Sequence, residues 1–185
     1  AEAPVPVCVL DAEGISKRLT GASQVDFLCE FQGDTPKTLA FYTGDSPECC
    51  LAQDAPGALA QLLRAPAKLR TDDSKSICRF AFRQGLPAGN IVFDASLAGY
   101  ILNPTQSSYE LGRLAQEHNV APKGFTHPEG LPAGMEFLPA LFERMQGQIS
   151  SNEQGHLLGQ IEIPLARVLA SMEEIGFRID TAGLR

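Results

Sequence analysis

The sequence predicts an α/β fold, a mixed β-sheet flanked by α-helices, and three observations carry that reading. Strand-like segments crowd the early part of the chain, helix-period segments alternate with short apolar stretches through its middle, and helices alone close it. At 185 residues, 44% of them hydrophobic, the chain is long enough to bury one main core with a short appendage.

Residues 5–10, 25–32 and 38–43 are rich in β-formers, and 48–53 follows a Gly44-Asp45-Ser46-Pro47 turn. These four strands give the sheet an antiparallel start. Along 25–32, Val25, Phe27, Cys29 and Phe31 share one face, and Asp26, Leu28, Glu30 and Gln32 share the other. Between the first two strands, residues 12–19 form a short helix with Asp11 as its N-cap, and 57–64 is helical with Leu59, Leu62 and Leu63 inward. Asp72 or Asp73 caps a helix through Arg83, in which Ile77, Phe80 and Ala81 fall at helical spacing and Gly85 is the terminator.

Residues 90–93 return to strand, and 95–102 form an apolar helix, capped by Asp94, that stops before Pro104. Ser107 opens another helix, with Leu111, Leu114 and Ala115 on one face. A Gly-, Pro- and His-rich loop spans 119–132, and two longer helices, 133–148 and 152–175, close the chain. In the second, Ile161, Leu165, Val168 and Met172 recur at helical spacing, Gly176 ends the pattern, and Pro164 predicts a kink or a join. An apolar stripe of this kind is expected to leave water, by folding back on the domain or by pairing with another surface.

A net charge of −7 argues against a surface devoted to neutralising phosphates. No apolar run approaches the ~20 residues that span a bilayer, so no membrane partner is expected and a soluble cytoplasmic protein is the default. The five cysteines (Cys8, Cys29, Cys49, Cys50, Cys78) lack metal-ligand spacing and read as reduced thiols, mostly in strands. The three histidines, His118, His127 and His156, also lack ligand spacing and lie in polar segments, which predicts solvated side chains. No Ser-centred elbow, phosphate-cradling glycine loop or Cys/His pair suggests another enzyme class.

The run Ile91-Val92-Phe93-Asp94-Ala95-Ser96-Leu97-Ala98-Gly99-Tyr100-Ile101-Leu102-Asn103-Pro104, followed by Ser107-Ser108-Tyr109-Glu110-Leu111 and Leu114-Ala115, resembles the 3′–5′ exonuclease-type domain of bacterial DNA polymerase I. A second stretch, Ile161-Glu162-Ile163-Pro164-Leu165, then Val168-Leu169, Met172-Glu173 and Gly176-Phe177-Arg178-Ile179-Asp180, is similar to the segment that joins that domain to the polymerase domain. The resemblance implies a ribonuclease H-like fold, with an exonuclease-like domain over residues 1–155 and a linker helix entering the polymerase domain over 156–185.

Active members of that family cut the 3′ end of a DNA strand with two metal ions held by four carboxylates. These are an Asp-x-Glu pair on a strand, an Asp that opens a helix after an aromatic, and an Asp four residues after a Tyr on a late helix. By the resemblance, Glu30 and Gln32 occupy the pair's positions, so one ligand is lengthened and the other is a neutral amide. A misplacement of even ~1 Å at such a site can cost ~100-fold in rate. Asp73 matches the helix-opening Asp, with Asp72 where the aromatic belongs. Glu136 stands near the last Asp and Pro132 in place of the Tyr, and no Tyr follows Tyr109.

The resemblance therefore implies a catalytically silent, structural domain with no bound cofactor. Its partner would be the polymerase domain of the same chain, with DNA engaged through the full-length protein in replication and repair. Two alternatives stand beside it: a magnesium- or manganese-dependent proofreading exonuclease using Glu30, Asp73 and Glu136, and a non-cutting DNA-binding module.

Overall fold

The computed structural model describes residues 3–44 and 46–176. Asp45, the last part of the second resembling stretch (177–180) and residues 181–185 lie outside them. Among the described residues, six strands form one mixed sheet: β1 (Val7–Leu10), β2 (Gln24–Gln32), β3 (Thr35–Thr43), β4 (Cys49–Ala52), β5 (Lys68–Thr71) and β6 (Ile91–Asp94). Their order across the sheet is β1-β4-β3-β2-β5-β6. The helices are α1 (Ala12–Leu19), α2 (Ala55–Arg64), α3 (Ser74–Arg83), α4 (Ala95–Leu102), α5 (Leu111–Glu117), α6 (Ala140–Ser151) and α7 (Ile163–Ile175).

Strict alternation along β2 divides the core in two. Val25 and Phe27 are fully buried against α1, α2 and α3, with Cys29 and Phe31 packed on the same cluster. Leu28 faces the opposite cluster, built with α4, α5 and α6. The alternation predicted for this strand is the one observed, and it makes a three-layer α/β/α domain. No helix among the described residues is long and apolar enough to cross a membrane.

The antiparallel start holds for β2 with β3 and β3 with β4. It fails for β1, which lies at the far edge and pairs with β4 in parallel. Helix α1 lets the chain cross over before β2 begins, and the edge strand is pinned from outside by the 124–126 loop. There Val5 N donates to Gly124 O at 2.7 Å and Val7 N to Thr126 Oγ1 at 3.1 Å. Strand β5 was not legible as a strand because it has only four residues, two of them cationic. It becomes one by insertion between β2 and β6, parallel to both.

Helix boundaries moved where proline intervenes. The single helix expected over 133–148 is a 3₁₀ turn, Met135–Phe137, followed by α6 from Ala140. Pro139 forces the preceding Leu138 into an extended conformation (ψ 154°), which the α-helix cannot continue through. The helix expected from Ser107 begins instead at Leu111. The run expected over 152–175 breaks at 152–154 and resumes through a π-helical turn, Leu157–Glu162, that leads directly into α7. Pro164 is the second residue of α7, directly after that turn, and the irregularity its missing N–H imposes is absorbed by the wider turn before it.

His118 corrects the expectation of solvated histidines. It caps the C-terminus of α5 and is buried, and burial lowers its pKa. The stripe on α7 corrects another. The helix does fold back, against α3, but through Ala166 and Ala170, whose small side chains permit close approach. Ion pairs from Lys75 to Glu173 (3.0 Å) and from Arg79 (3.2 Å) and Arg83 (2.5 Å) to Glu174 reinforce that seam. Leu165, Val168 and Met172 remain 45–60% exposed.

Candidate functional site

Strands β2, β5 and β6 run parallel, so their carboxyl ends share one edge of the sheet. That edge gathers Glu30 near the end of β2, Asp72 and Asp73 just after β5, and Asp94 at the end of β6. Ligand sites of open α/β sheets form at such an edge.

Asp94 is nearly fully buried and joins two helices at their starts. It accepts from Ser74 N of α3 at 2.7 Å and from Leu97 N of α4 at 3.0 Å. The expected cap on α4 is present, and α3 is tied to the same carboxylate. Burial still dominates those bonds and pushes its pKa up to about 6. Asp72 is pushed up to about 7, by burial first and then by the charges of Asp94 and Asp73.

Of the four positions singled out from the sequence, three accept from a backbone N–H. Asp73 caps α3, accepting from Ser76 N at 3.0 Å and from Ser76 Oγ at 2.5 Å. Exposed Glu30 accepts from Thr38 Oγ1 at 3.1 Å and from Ala133 N at 2.9 Å, and so clamps the loop before the 3₁₀ turn to β2. Half-buried Glu136 turns back to accept from Gly134 N at 3.0 Å. Gln32 stands exposed opposite Thr35, at the tip of the β2–β3 hairpin. Glu30 and Glu136 therefore hold consecutive amides of one loop. Gly134 suits that loop because its φ is +97° and a Cβ there would meet Leu111 Cδ1 at close range.

Two cavities open on this edge. One, of about 610 Å³, has Asp73, Asp94, Tyr109 and Glu162 in its wall, and Leu165 and Leu169 of α7 close it. The other, of about 370 Å³, brings Glu136 to Glu110 and Gly134. Asp72 lines both. Glu30 and Gln32 line neither of them.

Magnesium and manganese require hard oxygen ligands converging in tight octahedral geometry. Among the described residues, no three His, Cys, Asp or Glu side chains converge to hold a metal ion. The carboxylates in the inferred positions accept from Ser76, Ala133 and Gly134, and the fourth position is an uncharged amide.

Sequence reasoning took Asp72 only as a possible helix cap standing where an aromatic belongs, and it gave no partner to Asp26, whose ion pair with Arg70 reaches across β2 and β5 at 2.5 Å. Asp26 could have been found as an acid alternating with apolar residues in a central strand.

The raised aspartates have a consequence in pH. The folded state holds protons on Asp72 and Asp94 that the unfolded chain, with carboxyls near 3.8, has already released. Their contribution to stability is complete below that value and is lost as pH rises through 6 and 7. Asp34 and Glu174, held low by Arg83, act in the opposite sense in acid. Urea unfolding at about pH 5.5 and about pH 7.5 is expected to show the Asp72→Asn variant losing less stability over that interval than the parent. Equal losses would remove Asp72 from the balance.

Comparison with known proteins places the geometry in a family. The model for "DNA polymerase I, ribonuclease H-like domain" matches residues 50–122. DNA polymerase I of Geobacillus stearothermophilus is 31% identical over 155 residues, covering 75% of this chain and 18% of the relative. DNA polymerase I of Lactococcus lactis subsp. cremoris is 32% identical over 108 residues, covering 48% of this chain and 12% of the relative. The chain thus spans under a fifth of the length of these relatives. Among solved structures, the POL domain of Pol1 from M. smegmatis, in complex with DNA primer-template and dNTP, superposes with a TM-score of 0.71 at 19% identity. That match covers 95% of this chain and 33% of the other. Brucella melitensis NrnC superposes with a TM-score of 0.65 at 13% identity, covering 97% of this chain and 99% of the other. At these identities the structural likeness speaks for the ribonuclease H-like fold.

Proposed function

We propose, from the premise that this chain carries the ribonuclease H-like domain of the DNA polymerase I family, that the domain is catalytically silent and serves as a structural part of a polymerase. One observation carries the reading: each acid in an inferred metal-binding position is committed to a neighbouring group, Glu30 to Ala133 N, Asp73 to Ser76 and Glu136 to Gly134 N. A carboxylate engaged in this way serves as a cap or a clamp, which supports a structural role for these positions.

In this reading residues 1–155 form the exonuclease-like domain, and 156–185 carry the linker helix into a polymerase domain of the same chain. Template-directed DNA synthesis in replication and repair, in the cytoplasm, belongs to that neighbouring domain, through which DNA is engaged. The exposed stripe of Leu165, Val168 and Met172 on α7 supports a neighbour on that side.

The test is a nuclease assay on the purified chain with 3′-labelled single-stranded DNA and magnesium or manganese. No metal-dependent release of nucleotides is expected. Gln32→Glu alone is expected to recover none, because Glu30, Asp73 and Glu136 stay bonded elsewhere. Chelator-sensitive release of 3′ nucleotides by the unaltered chain would overturn the proposal and revive the exonuclease built on Glu30, Asp73 and Glu136.

A further inference from the structure

We propose that Cys8 and Cys50 form a redox-active dithiol, a site at which a peroxide oxidises the two thiols to a disulfide across the β1–β4 edge of the sheet. The proposal is independent of the nuclease-like edge, which is built from the carboxyl ends of β2, β5 and β6.

The register sets the pair directly opposite one another, Cys8 facing Cys50 in the parallel β1–β4 ladder. Their sulfurs are 3.2 Å apart and both thiols are free. Facing residues of neighbouring strands lie about 4.7–4.9 Å apart, inside the roughly 4.4–6.8 Å separation of Cα atoms that disulfides accept. Closure therefore needs the sulfurs to approach by only about 1 Å. Strand alternation sends the adjacent Cys49 to the other face, against Tyr42 and the second core cluster, so it does not compete.

The two thiols are unequal. Cys8 is half-buried, and Arg18 Nη2 stands 3.9 Å from its sulfur. Glu48 at 2.7 Å and Ser46 at 2.8 Å fix that guanidinium in place. The half-buried sulfur is the one a peroxide reaches from solvent. Cys50 is fully buried, and burial pushes its thiol pKa up. Cys8 is therefore the first to react and Cys50 the second.

The chemistry balances. The Cys8 sulfur attacks one peroxide oxygen, the O–O bond breaks, and the departing hydroxide takes up the proton lost from Cys8 and leaves as water. The Cys50 sulfur then attacks the Cys8 sulfur, the S–O bond breaks, and the second hydroxide takes the Cys50 proton. Two thiols are oxidised by two electrons, and one peroxide is reduced to two waters.

Brief treatment of the folded chain with hydrogen peroxide is expected to remove two of the five titratable thiols and lower the mass by two hydrogens. Non-reduced peptide mapping should join the Cys8 and Cys50 peptides, and dithiothreitol should restore both thiols. Cys49→Ser should keep the cross-link, which separates Cys50 from its sequence neighbour. Cys50→Ala should leave a sulfenic acid on Cys8 that dimedone traps. Should that variant fail to fold, the unaltered chain and Cys49→Ser decide the matter. A link through Cys49, a bridge between two copies of the chain, or oxidation of Cys8 without any link would overturn the proposal.

Discussion

Replacing Asp26 by alanine is expected to cost about 3–5 kcal/mol of folding stability, because it strands a buried guanidinium. Asp26 and Arg70 are 3% and 2% exposed. The guanidinium donates twice to the carboxylate, Nε to Oδ1 at 2.6 Å and Nη2 to Oδ2 at 2.5 Å. Nη1 reaches Gln146 Oε1 of α6 at 2.9 Å. The pair thus ties β2 to β5 and the sheet to α6. Burial raises the Asp26 pKa against the pull of Arg70, a sign that desolvation is costly and the partner indispensable. Urea denaturation checks the value, and the paired variant Asp26→Leu with Arg70→Met supplies the contrast. Removing both charges together should restore most of the loss. If the double variant were as unstable as the single, the pair would be a packing element and its charge irrelevant.

Phe142→Ala is expected to cost a similar amount, about 3–5 kcal/mol, through a different term, the cavity left under the sheet. The ring is fully buried, 5.3 Å from that of Phe93 at a 50° tilt, and the Arg70 guanidinium carbon lies 5.9 Å from its centroid. The ring therefore packs against both β6 and the ion pair. Since the two sites share Arg70, the loss in an Asp26→Ala, Phe142→Ala chain should fall short of the sum of the single losses. Simple additivity in urea melts would show that ring and ion pair stabilise the fold separately.

Much of the fold was legible because periodicity and caps are local. Asp11, Asp73 and Asp94 each cap the helix they precede, and the β2 pattern alone assigned Val25 and Phe27 to one face and Leu28 to the other. What resisted reading is set by contacts distant in sequence. β5 is a strand only because β2 and β6 flank it, and β1 finds its place beside β4 rather than beside the strand that follows it. His118 is buried by packing that its polar neighbours in sequence do not foretell.

At the candidate site, the residue types at the four positions were legible, and their partners were not. Nothing local to Glu30 announces that its acceptor would be used by Ala133, with a sequence separation of 103. Asp72 and Asp94 meet through the pairing of β5 with β6, a tertiary fact that also raises both pKa values.

The π-helical turn at Leu157–Glu162 sets the angular phase of everything after it. A π turn carries one more residue than an α-helical turn, and each helical residue advances the side chains by about 100°. The extra residue thus acts as a rotational offset that brings Ala166 and Ala170 to face α3 and leaves Leu165, Val168 and Met172 outside. A chain one residue shorter in this turn would present α3 with bulkier side chains and break the alignment of Glu173 and Glu174 with Lys75, Arg79 and Arg83. Length at this point, more than the identity of any side chain, selects which surface of α7 the domain keeps for itself.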